Sequence, residues 1–192
     1  MKSGVNSNDL RLFFLINGHH NTFLDKLMYL FSSTEVWIPV YLFILYTLYK
    51  EYRNKSWIFM LSAIMMVIIS DKVSTFLKYL MKILRPSHEI YLKPMIHLSK
   101  AGPGGLYGYV SSHASNFFSL AIFLIVLLPK KYNGLKIGFL LSAILVAYSR
   151  IYNGVHYPLD VARGILLGTA IGLLFAIVLK NNIVNKLEVK NI

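Results

Sequence analysis

Three groups of polar residues interrupt an otherwise apolar chain, and the densest runs from Ser149 to Asp160: Ser-Arg-Ile-Tyr-Asn-Gly-Val-His-Tyr-Pro-Leu-Asp. Pro158 suits the first position of a helix, where a missing N–H costs nothing, so the stretch from Pro158 to Lys180 is expected to be helical. His156 then sits just before a helix start, with Asp160 in the first turn. A carboxylate there can accept a hydrogen bond from one imidazole nitrogen, fixing the tautomer and leaving the other nitrogen free to attack. That makes His156 a candidate nucleophile. The same residues also fit a plainer role, with Asp160 favouring a helix N-terminus and Arg150 the preceding C-terminus.

The other two groups are suited to holding an anion. Lys78 and Arg85 are seven residues apart, two helical turns, so both side chains can point the same way. Ser111-Ser112-His113 opens a further helix, whose free backbone N–H groups and positive dipole end form an anion site. An anion site flanked by His113 and His156 suggests phosphoryl transfer. Cations would hold the equatorial oxygens, one histidine would attack phosphorus and the other would protonate the leaving oxygen.

The elements that must position these residues are membrane helices. With 192 residues, 56% hydrophobic and only 15% charged, and a mean hydropathy of +0.55, the chain is too apolar for an ordinary soluble domain. The net charge of +12 would suggest nucleic acid in a soluble protein, but the basic residues cluster at the ends of apolar runs. Nucleic acid is therefore not an expected partner; the bilayer, anionic lipid surfaces and phosphate groups are. There is no cysteine, which excludes disulfides and thiolate metal sites. Met1 to Asp9 is polar and does not resemble a cleaved signal peptide.

Leu10–Ile16 and Phe23–Phe31 are too short to span and are expected to lie in the membrane interface, joined by a turn at 17–21 that carries His19 and His20. Five apolar runs follow: Val36–Tyr49, a run beginning at Trp57, Ala114–Leu128, Leu135–Tyr148 and Val161–Leu179. The run from Trp57 turns polar near its end, where Asp71, Thr75, Lys78 and Lys82 recur at helical spacing. That face must look into protein or water. The helix is expected to end near Arg85-Pro86, because Pro86 disfavours a helical Arg85. The connection from Ser87 to Tyr109 holds Gly102, Gly104, Gly105 and Gly108, read as a flexible rim or lid. Its His88, Glu89, His97 and Lys100 are poorly spaced for metal and are expected to be solvated. The expected architecture is an all-α, polytopic transmembrane bundle of about five spans, a single domain over residues 1–192.

Lys50, Arg53 and Lys55 follow the first span, Lys130, Lys131 and Lys136 the third, and Lys180, Lys186 and Lys190 the fifth. Alternation puts all three groups on one side, which the positive-inside rule makes cytoplasmic. The polar groups at 78–85, 111–113 and 150–160 then converge on the opposite face.

Lys78-x6-Arg85-Pro86, Ser111-Ser112-His113 and Ser149-Arg150-x5-His156-x3-Asp160 resemble, in order and spacing, the three-part signature of the type 2 phosphatidic acid phosphatase superfamily, which includes vanadium haloperoxidases. The resemblance implies His156 as the nucleophile that forms a phosphohistidine, Asp160 as its orienter and His113 as general acid. It implies Lys78, Arg85, Ser111 and Arg150 as phosphate binders, with the backbone at Ser112 helping, and neither metal nor other cofactor. Two residues depart from the usual Pro-Ser-Gly-His of the second motif: Val110 stands for Pro and Ser112 for Gly. Small membrane-embedded members of this kind in bacteria act on undecaprenyl diphosphate, phosphatidate, phosphatidylglycerophosphate or lipid A phosphates, so the implied partner is an anionic phospholipid or a polyprenyl phosphate. The implied location is the bacterial inner membrane, with the site facing the periplasm. Two rival readings are a non-catalytic lipid-phosphate binding or transport protein and a vanadate-dependent haloperoxidase, the latter disfavoured by the apolar spans.

Overall fold

In the computed structural model, residues 6–184 are described, and they form a bundle of seven α-helices. These are α1 (Ser7–Asn17), α2 (Thr22–Ser32), α3 (Ile38–Tyr52), α4 (Ser56–Met81), α5 (Ser112–Leu127), α6 (Asn133–Tyr152) and α7 (Pro158–Leu179). Among the described residues, extended pairing is limited to one isolated antiparallel bridge, Leu84 with Tyr107.

Three stretches are long and apolar enough to cross a membrane by themselves: Glu35–Met81, Lys130–Tyr152 and Pro158–Ile183. The first contains both α3 and α4, which break at Arg53, where φ is 46°, and pack against each other. Tyr52 stacks on Phe59 across this break at 3.6 Å between ring centroids. Helix α5 is apolar but has only 16 residues, below the usual crossing length.

Helix α5 is the centre of the bundle, contacting α4, α6 and α7. Its tightest neighbour is α7, and the reason is a four-residue repeat. Gly164, Gly168 and Gly172 of α7 lie against the carbonyl oxygens of Ser111, Ser115 and Ser119, and a Cβ at any of them would collide with that backbone. Small residues at this spacing let two membrane helices approach at backbone distance. The residue order makes α5 and α7 parallel, so both N-termini lie at the same end. Ser111 N–H donates to Asp160 O there at 2.9 Å.

Helix α4 runs antiparallel to α5 and is joined to it by hydroxyls. Ser70 Oγ lies 2.7 Å from Ser115 Oγ, and Ser74 Oγ lies 2.6 Å from Ser112 Oγ. Contrary to the sequence expectation, α4 ends at Met81, because Lys82 adopts a left-handed conformation (φ 50°, ψ 31°) that caps it. Lys82 therefore leaves the shared face of Asp71, Thr75 and Lys78. Arg85 likewise does not extend that helix. It enters on an extended segment whose N–H donates to Leu106 O at 3.2 Å.

The short helices α1 and α2 are capped by the side chains of Asn6 and Asn21 and pack against α6, with α1 also touching α7. Phe13 and Met28 are buried by this packing. The Asn17 amide donates to both His97 O and Tyr152 O at 2.8 Å, tying α1 to the long connection. His97, expected to be solvated, instead meets Asp25 at 2.7 Å and stacks on His20 at 3.7 Å.

Candidate active site

The turn between α6 and α7 is held by backbone hydrogen bonds and close packing. Val155 and His156 N–H groups both donate to Arg150 O at 3.2 Å, closing the end of α6. Gly154 has φ +76°, and a Cβ there would sit 2.7 Å from His97 O, so the turn requires glycine. Every residue from Ser149 to Tyr157 is buried. His156, 2% exposed, presents Nδ1 to Asp160 Oδ2 at 3.1 Å. The same Oδ2 accepts from the Tyr157 N–H at 3.2 Å, and Oδ1 lies 3.6 Å from Arg163 Nη1. If Nδ1 donates to the carboxylate, Nε2 is left with its lone pair. Burial, followed by the positive fields of Arg85, Arg150 and Lys78, holds His156 well below its ordinary 6.5, so the imidazole is neutral near pH 7.

The cations come from three directions. Arg150, at the C-terminal end of α6, is 7% exposed, and its Nε has no protein partner. Arg85 is 9% exposed and donates from Nε to Tyr107 O at 3.0 Å. Burial lowers the Arg85 value from its ordinary one and Asp160 acts against that change; a guanidinium stays charged throughout. Lys78 donates from Nζ to Ser112 Oγ. Burying two guanidinium groups beside a half-buried ammonium, with so little anionic compensation, is costly unless an anion joins them.

All eight residues singled out from the sequence lie around the N-termini of α5 and α7. Two do so differently from the expectation. Ser111 Oγ accepts from Ala114 N–H at 3.4 Å and so caps α5, and its own backbone N–H is taken by Asp160. Ser112, where glycine was the usual residue, has no positive φ and uses its hydroxyl to join Ser74 and Lys78. His113, half-buried in the first turn of α5, faces a cavity of about 310 Å³ that it shares with Asp71 and Asn116.

The glycine-rich segment, expected as a flexible rim, packs directly on the site. A Cβ on Gly104 would strike the Arg85 guanidinium, and one on Gly108 would fall 2.7 Å from Asp160 Oδ2. Tyr109 beyond it has φ 72°, which for an aromatic residue stores on the order of 1–3 kcal/mol of strain. Arg163 lies over the Tyr109 ring at 4.4 Å and donates to its carbonyl at 3.4 Å. Arg163 was not singled out from the sequence, although its i+3 spacing from Asp160 was visible. Among the described residues, no group of three or more His, Asp or Glu side chains is arranged to hold a metal ion.

The PAP2 superfamily profile matches residues 56–183, which span every residue of this constellation. The chain belongs to the PAP2 superfamily. As a PAP2 protein it is a membrane phosphatase, a hydrolase acting on phosphoric esters. It is 37% identical over 170 residues to a lipid A 4'-phosphatase of Bacteroides thetaiotaomicron, covering 87% of this chain and 75% of the relative. It is 34% identical over 183 residues to an undecaprenyl-diphosphatase of Sulfolobus acidocaldarius, covering 94% and 82%. Among solved PAP2-type structures, Aquifex aeolicus LpxE superposes with a TM-score of 0.70 at 25% identity, covering 91% of this chain and 98% of that one.

Proposed function

We propose that this phosphatase hydrolyses a phosphomonoester or diphosphate on the head group of a membrane lipid, with His156 as nucleophile. The observation that carries the reading is the buried His156–Asp160 pair set among three cations. His156 Nε2 attacks phosphorus while Lys78, Arg85 and Arg150 hold the non-bridging oxygens. His113, which takes up a proton once the bound phosphate offsets the field of the three cations, gives it to the leaving oxygen as the P–O bond breaks. A water then attacks the phosphohistidine and loses a proton to His113, the N–P bond breaks, and inorganic phosphate leaves with His156 neutral again. Ser111 acts as the cap that keeps the α5 N-terminus in place, and the Ser112 backbone contributes a donor.

The relatives named for lipid A and for undecaprenyl diphosphate support a substrate with an anionic head at the membrane surface. We read residues 6–184 as one membrane-embedded unit with α3 to α7 as five crossings, α5 being helped across by its flanking residues; the ends of the expected 1–192 domain, with Lys186 and Lys190, lie outside the described residues. The basic residues at 50–55, 130–136 and 180 then lie in the cytoplasm, and the site opens on the periplasmic face of an inner membrane. The test is phosphate release by the detergent-solubilised protein from a panel of lipid phosphates and diphosphates, with EDTA present and His156→Ala alongside. Release by the wild type and none by the variant supports the reading. A folded wild type that binds lipid phosphate without releasing phosphate would point to a binding protein instead.

A further inference from the structure

The cations and the general acid open onto different spaces. Lys78 and Arg85 line a pocket of about 190 Å³ with Thr75 and Tyr79. His113 lines another, of about 310 Å³, whose polar wall also includes Thr34, Asp71 and Asn116. At Tyr41, Val67 and Leu120 this second cavity adjoins a groove of about 250 Å³ between α3 and α4, lined almost wholly by apolar side chains. In the proposed mechanism the group next to His113 is the leaving group. The cavity on that side therefore receives the alcohol, with room beyond it for the alcohol's apolar chains.

The polar wall of this cavity holds two acceptors without partners, beside the hydroxyls of Ser32 and Thr34. Asn116 Oδ1 is buried with no partner. The Asp71 carboxylate has no hydrogen-bonded or ion-paired partner among the described residues, and only its backbone carbonyl is engaged, by Ser74 Oγ at 2.9 Å. Both lie on helices beside the site, where a polar group withdrawn from water without a partner is expensive to maintain. Two idle acceptors call for donors on the ligand, and an anionic group placed beside Asp71 would be repelled.

We infer that Asp71 and Asn116 form a leaving-group subsite that selects a phosphomonoester whose alcohol carries hydroxyl or amide N–H donors, and that discriminates against a phosphoanhydride. This rests on the proposed phosphatase mechanism and narrows its substrate. A sugar-based lipid phosphate meets the requirement. A prenyl diphosphate does not, because its leaving group is itself a phosphate that must face the Asp71 carboxylate.

The experiment compares kcat/KM of the full-length protein in detergent on three probes: an N-acylglucosamine lipid 4-phosphate, a prenyl monophosphate without donors, and a prenyl diphosphate. The wild type is expected to prefer them in that order. Asp71→Asn, which keeps the size and removes the charge, should raise the diphosphate-to-monophosphate ratio about tenfold. Asn116→Leu should lower the glycolipid-to-monophosphate ratio by a similar factor, and it decides the question if the Asp71 variant does not fold. Ratios within twofold of the wild type, or a wild type that prefers the diphosphate, would overturn the subsite. So would a weakening of orthovanadate inhibition that matches the loss of turnover, since that shows a general disturbance of the phosphoryl pocket. If the folded wild type turns over none of the three, the phosphatase mechanism itself fails and the subsite fails with it.

Discussion

Asp160 Oδ2 stands 3.1 Å from His156 Nδ1 and 3.2 Å from the Tyr157 amide nitrogen, so one carboxylate oxygen both orients the imidazole and caps the helix that carries it. Asp160→Asn separates the charge from the geometry. The amide oxygen in the place of Oδ2 can still accept from both donors, but it no longer stabilises positive charge developing on the ring. We expect kcat to fall roughly 10²- to 10⁴-fold with the fold retained, by analogy with other carboxylate-to-amide changes behind a catalytic histidine. Steady-state kinetics beside a thermal melt checks this. Wild-type kcat in the variant would remove Asp160 from the mechanism.

Gly108 is tested more quietly. Its missing side chain leaves room for Asp160, since a Cβ would lie 2.7 Å from Oδ2 and 3.6 Å from Arg85 Cγ. Gly108→Ala must push the carboxylate or the loop aside, displacing the His156 partner by a few tenths of an ångström. Loss of positioning at that scale is expensive in catalysis. The expected outcome is a tenfold or greater drop in kcat with a melting temperature close to wild type. A large loss of stability with normal kcat in the folded fraction would mean that the glycine serves the loop alone.

How much of this was legible in the sequence depends on the distance over which each contact acts. The His156–Asp160 pair was readable because a proline between them announces a helix start and fixes their spacing. Arg85 was expected at the end of the same helix as Lys78 and stands instead on the extended segment that follows it. The break at Lys82 is a left-handed residue that is neither Gly nor Asn, so no local signal marks it. His97 was misjudged because its partner, Asp25, is 72 residues away, and local composition carries no trace of such a contact. The Gly164, Gly168 and Gly172 repeat was visible in an apolar run. Its partner, the carbonyl row of α5, appears only once the two helices are seen to run parallel.

That repeat makes its own prediction. Gly168 lies against the backbone of Ser115, whose carbonyl a Cβ would strike. Gly168→Leu must separate α5 from α7 and with them His113 from His156. We expect several kcal/mol of destabilisation, the range for overpacking a tight interface or somewhat beyond (~1–3 kcal/mol), and loss of activity in what remains folded. A variant with normal melting temperature and turnover would show that the two helices can part without cost.

Ser112 explains a departure from the family pattern and can be reverted. Its hydroxyl takes the Lys78 donor and faces Ser74 Oγ at 2.6 Å. Ser112→Gly frees Lys78 but leaves the backbone donor in place. Because a single net hydrogen bond is worth about 1 kcal/mol, KM should change by no more than about fivefold and kcat should persist. Abolished turnover would mean that the hydroxyl itself takes part in the chemistry.

The acid side of the stability profile follows from His156. Burial, then the fields of Arg85, Arg150 and Lys78, lowers its value in the folded protein, whereas the unfolded chain titrates near the ordinary 6.5. Below that pH the unfolded state binds a proton that the folded state refuses, so stability falls as pH drops from about 6.5 toward the folded value. Above pH 6.5 both states are neutral at this residue and it contributes no slope. The loss is at most about 1.4 kcal/mol per pH unit for one group. Melting temperatures of wild type and His156→Asn between pH 7.5 and 5.0 isolate the term from other titrating groups. The wild type should lose more on acidification than the variant. Saturating inorganic phosphate should shrink the difference, because an anion among the three cations offsets the field that keeps the proton away. Parallel profiles for the two proteins would mean that His156 is not held neutral by this cluster, and the nucleophile would have to be sought elsewhere.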